Sequence, residues 1–247
     1  MINLPTSFDC KEAIWKFPTP VRNLLFPLAY PKVSKRMAKT RVGFLGSHSL
    51  LPFIENKCVY IHIPKVAGVS ISESLFGNQS AGHFPMRVIE HGLGQAQTNE
   101  WFRFTFVRCP WDRVYSGYRF LLGGGMNEGD RLMGERINRE SDSFTDFVLN
   151  WLNPARMAEF IHFREQFWFV ASIDGSVKLD FVGRFENLAE DYEKLRGHLD
   201  FGAPLQSLNR TALKKKPLTD VYTDEAVAKI AQLYARDIAQ FNFKFGE

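Results

Sequence analysis

Twice in this chain a short β-rich run breaks off next to a cation and passes at once into a helix-forming stretch, and this pairing constrains the fold more than any other feature. From Cys58 to Ile63 the chain reads Cys-Val-Tyr-Ile-His-Ile, a short apolar run that fits a buried parallel strand, and Pro64 stops it. Lys65 follows, and a helix is predicted from near Val69 to Gly77, a natural C-terminal stop. The second unit is a strand from Trp101 to Val107, then Arg108 and Cys109, with Pro110 where proline favours a helix start. Its helix is expected from Trp111 to Leu122, ended by Gly123, Gly124 and Gly125.

A third strand is predicted over Leu179 to Phe185, with Asn187 and Glu190 marking the helix after it. The stretch from Met126 to Val170 reads as mostly helix, including one opened by Ser143 with Asp146 three residues on. A last helix is expected after Thr223, with Val227, Ile230, Tyr234 and Ile238 on one face. Strands alternating with helices give an α/β fold with a mainly parallel central sheet flanked by helices. That domain is expected over residues 51–247. Residues 1–50 hold Pro5, Pro18, Pro20, Pro27 and Pro31, then Lys32, Lys35, Arg36, Lys39 and Arg41, and read as an arm with a solvated basic surface.

At 247 residues and 45% hydrophobic content the chain can bury a full core. A net charge of +4 suits an anionic small ligand or an acidic glycan, and not a nucleic-acid duplex, which calls for a strongly basic face. Cys10, Cys58 and Cys109 have no paired or metal-type spacing, which points to a reducing compartment and away from a zinc site. No apolar run approaches the roughly 18 residues of a membrane span, and the N-terminus lacks a signal-type stretch, so the cytoplasm is the default location.

The chemistry concentrates where the two units turn. In Ile63-Pro64-Lys65-Val66-Ala67-Gly68-Val69-Ser70 a strand end meets a helix start, where backbone N–H groups point outward and the helix dipole adds positive charge. An anion belongs there, with Lys65 as a mobile full charge and Ser70 as a hydroxyl donor. The glycine count and the Gly-Lys-[Ser/Thr] ending of a Walker A loop are both missing. In the second unit Arg108 can fork onto a phosphate from a strand end, and Ser116 can donate from two helical turns further on. Lys65 and Arg108 both fall at the carboxyl ends of predicted strands, where open α/β sheets bind ligands.

These two segments resemble the 5′-phosphosulfate and 3′-phosphate motifs of carbohydrate sulfotransferases that use 3′-phosphoadenosine 5′-phosphosulfate (PAPS), in the family 2 group with the heparan sulfate 2-O-sulfotransferases and small bacterial members. The similarity continues through Gly82-His83-Phe84-Pro85, Phe181 to Leu188 and Leu208-Asn209-Arg210, and spans roughly residues 57 to 245. It implies a P-loop-like sulfotransferase fold, PAPS as donor with no metal, and a hydroxyl acceptor on a carbohydrate or glycolipid. It also implies that Lys65, Ala67, Gly68, Val69 and Ser70 hold the 5′-phosphosulfate and that Arg108 and Ser116 hold the 3′-phosphate. Arg184, Asn209 and Arg210 are expected to close over the nucleotide. The chain departs from the family at Val66 and Val69, where threonine is usual; each lost hydroxyl contact weakens donor binding by about 1 kcal/mol.

The acceptor hydroxyl needs a general base poised near neutrality, which suits histidine. His83, in a loop after the first helix where the family carries a histidine near the acceptor, is the candidate, with His91 and Glu73 as runners-up. His62 reads as a packed core residue, and His162 and His198 as surface or packing residues in helical segments. Two other readings compete. A P-loop-type kinase or nucleotide hydrolase would share the architecture but needs magnesium ligands that the sequence does not display. A PAPS- or glycan-binding module without transfer activity would follow if the two valines abolish turnover.

Overall fold

The computed structural model describes residues 12–43, 45, 48–77, 81–206 and 217–246. Three strands, β1 (Cys58–Ile61), β2 (Phe102–Val107) and β3 (Phe181–Arg184), form one parallel sheet in the order β1-β2-β3. Ile61 lies opposite Thr105 and Val107 opposite Arg184, so the carboxyl ends of all three strands open on one edge. All of β1 is buried, as is all of β2 after Phe102; β1 accordingly reads as a continuous apolar run, whereas β2 carries Arg103 and Thr105 inside, with Arg103 Nε donating to Thr98 O and the Thr105 hydroxyl to Ile61 O. Gly183 in β3 makes room for its neighbour, since a Cβ there would sit 2.3 Å from the Phe106 ring.

The first strand ends at Ile61, two residues short of the expected Ile63. The Thr105 hydroxyl donates to the Ile61 carbonyl at 2.7 Å, and beyond that point the chain is already committed to the loop. The helix that follows spans Gly68–Phe76 and ends on a left-handed Gly77. The one after β2 spans Pro110–Leu122, and the one after β3 Leu188–Leu199. The Ser143 and Thr223 hydroxyls cap their helices by accepting from the N–H groups of Asp146 and Ala226. The terminal helix is divided at Tyr234 into Asp224–Leu233 and Ala235–Phe241, and the buried Tyr234 hydroxyl donates to the Phe163 carbonyl.

The N-terminal segment differs from the solvated arm expected of it. Its described part forms helices Thr19–Ala29 and Pro31–Val42, and Ile14, Trp15, Phe26 and Met37 belong to the same apolar cluster as the strands. Trp15 packs on Phe26 and Tyr30 with ring centroids 5.7 and 6.1 Å apart. Pro20 and Pro31 sit in the first turns of these helices, where a missing N–H leaves no bond unmade, so they start helices and do not break them. Among the described residues no helix is long and apolar enough to cross a membrane.

Candidate active site

Four carbonyls from the end of β1 through the loop to the helix Gly68–Phe76 are already engaged by side chains. Ile61 O accepts from Thr105, His62 O from His83 Nδ1 at 2.8 Å, Pro64 O from Arg113 Nε at 3.0 Å and Lys65 O from Arg108 Nη1 at 2.9 Å. Lys65 and Ala67 adopt left-handed backbone, φ 71° and 64°, a conformation that costs a non-glycine residue about 1 kcal/mol or more and recurs at ligand clamps. With those carbonyls already engaged, the first amides of the helix are the unspent backbone groups where the loop meets the carboxyl edge of the sheet. The first intrahelical bond there is Ile71 N–H to Ala67 O, and Ala67 at the N-cap has no side-chain oxygen to cover the amides of Gly68 and Val69.

Three cations converge on this loop. The Lys65 ammonium lies over the Phe120 ring, 3.6 Å from its centroid, and burial, with Arg108 and Arg113 nearby, lowers its pKa to about 8 against the pull of Asp130. Arg108 is buried. Its Nε donates to Asp112 at 2.9 Å and its guanidinium lies 3.8 Å from the Phe185 ring centroid. Its backbone exchanges two hydrogen bonds with the Gln166 side chain, and Gln166 in turn starts a short helix whose first amides donate to the buried Asp237 carboxylate. Arg113 is fully enclosed, and beyond its bond to Pro64 O its Nη1 and Nη2 groups have no hydrogen-bond partner among the described residues. Burial lowers the Arg113 pKa and pushes the Asp237 carboxyl up to about 6. The two act on each other as counter-charges: Asp237 opposes the fall at Arg113, and Arg113 opposes the rise at Asp237.

The histidines divide by position. His62 is buried beneath the helix start, where a Cβ on residue 68 would fall 1.8 Å from its Nε2, so only glycine fits at Gly68. Its ring lies 4.3 Å from that of His83. A carbonyl can only accept, so His83 Nδ1 carries the proton toward His62 O and its Nε2 holds the lone pair. Burial lowers the His83 pKa to about 4, with His162, Arg36 and His48 adding to the effect. A base poised near neutrality was expected; the enclosed ring is instead already neutral well below pH 7. His162 joins Asp130 at 3.0 Å on the Lys65 side. His91 packs tilted against Phe26 of the N-terminal helix Thr19–Ala29, 4.1 Å between centroids, and His198 lies against Phe102 and Phe181 at the opposite edge of the sheet.

Of the remaining expected site residues, Ser70 is buried in the first turn of the cradle helix and Ser116 is half-buried on the helix that carries Arg113. Arg184 ends β3 beside Arg108, yet its guanidinium donates to Phe241 O and stacks on Phe243. With Cys109, Glu186, Asn187 and Phe243 it lines a cleft of 290 Å³. Glu73 sits mid-helix, where its carbonyl accepts the Gly77 N–H. Asn209 and Arg210 lie outside the described residues; the chain leading to them is tied to the cradle helix by Ala203 N–H to Ser74 O and Gln206 N–H to Ser74 Oγ. Sequence reasoning did not single out Arg113, Gln166, Phe120, Asp130 or Asp237. Arg113 at least lies inside the second motif, one helical turn before Ser116. Among the described residues no group of three His, Cys, Asp or Glu side chains is arranged to hold a metal ion.

Fold and site together define an α/β protein that gathers positive charge and helix-start amides at the carboxyl edge of a parallel sheet. Residues 53–244 match the Sulfotransferase family, and the chain belongs to that family, in its family 2 group. Membership supports sulfotransfer activity in general. No curated protein and no solved structure matches the chain.

Proposed function

We propose that the protein moves the sulfuryl group of PAPS to a hydroxyl of a carbohydrate or glycolipid. The observation that carries this reading is the loop whose carbonyls at Ile61, His62, Pro64 and Lys65 are all engaged by side chains, which leaves the helix-start amides and the Lys65 ammonium as its unspent donors. That surface suits a phosphosulfate, which offers oxygens and negative charge and no donors. Arg108 uses Nε on Asp112 and Nη1 on Lys65 O; its Nη2 corner, with Ser116 on the helix Pro110–Leu122 that follows, is suited to a 3′-phosphate.

In the transfer step the acceptor oxygen forms a bond to sulfur while the bond from sulfur to the bridging phosphate oxygen breaks. The acceptor proton passes to His83 Nε2, the nitrogen left with a lone pair. The electron pair of the broken bond leaves with the 5′-phosphate of 3′-phosphoadenosine 5′-phosphate (PAP), and Lys65 neutralises the charge that develops there. Arg113 supports the site from behind by fixing Pro64. All the positive charge this chemistry requires is present on Lys65, Arg108 and Arg113, so no metal enters the step.

Labelled PAPS offered with polysaccharides, glycolipids and phenols, to the parent protein and to Lys65→Ala, tests the reading. Label is expected in a sugar hydroxyl, and the variant should be slower by at least about a hundredfold with its fold intact. Near-normal transfer by the variant, or turnover of ATP with magnesium and none of PAPS, would overturn it. PAPS binding without transfer to any acceptor would make the protein a binding module.

A further inference from the structure

Between Ala13 and Ile54 the sequence carries seven basic residues and no acidic one, whereas the whole chain holds 31 basic against 27 acidic. Most of these charges lie on the two N-terminal helices, which meet at Tyr30. The helix Thr19–Ala29 turns Arg22 and Phe26 inward and presents Val21, Leu24 and Leu28 outward, one face at spacings of three and four. Leu24 is 72% exposed and Leu28 75%, and Phe17, just before the helix, is exposed as well. The helix Pro31–Val42 turns Met37 and Thr40 inward and presents Lys32, Lys35 and Lys39 outward, again at spacings of three and four, followed by Arg41 and Val42 at its end.

Two helices that are consecutive and in contact expose an apolar stripe on one and a lysine stripe on the other, and together these make two distinct demands on a partner. We propose that this face docks on an anionic lipid surface. The leucines enter the boundary between headgroups and acyl chains, while the lysines meet the lipid phosphates. A hydrated polyanionic glycan would answer the lysines but leave Val21, Leu24 and Leu28 in water. A second copy of the chain would answer the leucines but bring Lys32, Lys35 and Lys39 against the same basic stretch, whose bordering carboxylate Glu12 is already paired with Arg87. A lipid bilayer satisfies both. The inference stands apart from the sulfotransfer reading, because no residue of the cradle belongs to this face.

Sedimentation of the full-length protein with vesicles of phosphatidylcholine alone, and of equal parts phosphatidylcholine and phosphatidylglycerol, tests it. Binding is expected to the mixed vesicles only, and high salt should release it. The pair Leu24→Asn and Leu28→Asn should weaken partitioning by about tenfold or more. Lys32→Gln, Lys35→Gln and Lys39→Gln should each weaken it roughly fivefold. Thermal unfolding and PAP affinity should match the parent in every variant, which separates lost docking from lost folding. The proposal is overturned if the mixed vesicles fail to sediment the protein, or if the leucine pair binds them as well as the parent does. It is equally overturned if light scattering finds a dimer that the leucine pair dissociates while vesicles bind neither form.

Discussion

Val66 and Val69 stand at the two positions where the family carries threonine, yet their surroundings are opposite. Val66 is fully buried in the apolar cluster, whereas Val69 is 38% exposed in the first turn of the cradle helix. A hydroxyl at 69 can reach solvent or an anion, and Val69→Thr should tighten PAP binding by about fivefold, one hydrogen bond's worth. A hydroxyl at 66 would be desolvated, so Val66→Thr should lower stability by about 1–3 kcal/mol. Calorimetry and thermal unfolding read the two effects, and an equal gain in affinity from both would contradict the difference in burial. The titrations belong to this scale too. Lys65, lowered to about 8, is charged below that pH and loses its proton above it, while His83, lowered to about 4, is a free base above that pH. The profile of kcat/KM, which reports the free enzyme, should rise through about pH 4, hold level across neutrality and fall through about pH 8. His83→Ala should remove the acid limb and lower transfer roughly a hundredfold to ten-thousandfold, with donor affinity unchanged. A limb near neutrality that survives in this variant would assign the base elsewhere.

At the scale of the elements, the parts that depend on neighbours in sequence were readable. The strand runs before Lys65 and Arg108, the proline at Pro110, the Gly77 stop and the Ser143 and Thr223 caps each follow from a few adjacent residues. The support behind the cradle was not, because it is assembled across long separations. Thr105 reaches Ile61, Gln166 holds Arg108 and Asp237 holds Gln166, and no local pattern announces such pairs. The pKa of His83 is equally a product of enclosure, which a loop sequence does not reveal. Gly68 links the two levels: it reads as part of a phosphate cradle, but its contact with His62 is what forbids a side chain. Gly68→Ala should therefore cost about 1–3 kcal/mol of stability, the usual penalty of overpacking, and should also displace the His62 ring and the His83 ring tilted against it. A variant that unfolds like the parent and transfers sulfate at the parent rate would contradict that packing.

For the molecule as a whole, alternation of strand and helix was enough to specify a parallel α/β sheet, since parallel neighbours require a covering connection. The packing of the N-terminal segment was not legible. Its prolines suggested irregular chain, and the burial of Trp15, Phe26 and Met37 depends on surfaces contributed from elsewhere. The enclosed cations also bear on the whole fold. Lys65 and Arg108 hold largely buried charge at the edge assigned to the donor, so PAP should raise the midpoint of thermal unfolding with the logarithm of its concentration over Kd, and a chelator should leave transfer unaffected. Transfer lost to a chelator and restored by a metal would contradict a site whose charge comes from Lys65, Arg108 and Arg113. The central claim is that the carboxyl edge of the sheet recognises a nucleotide bearing both a 5′ anion and a 3′-phosphate. Calorimetric titration with PAP and with AMP tests it most directly, because the two ligands differ by the group assigned to Arg108 and Ser116. PAP should bind at least about tenfold more tightly, as expected for charge-assisted hydrogen bonds. Equal affinity for the two nucleotides would contradict the account.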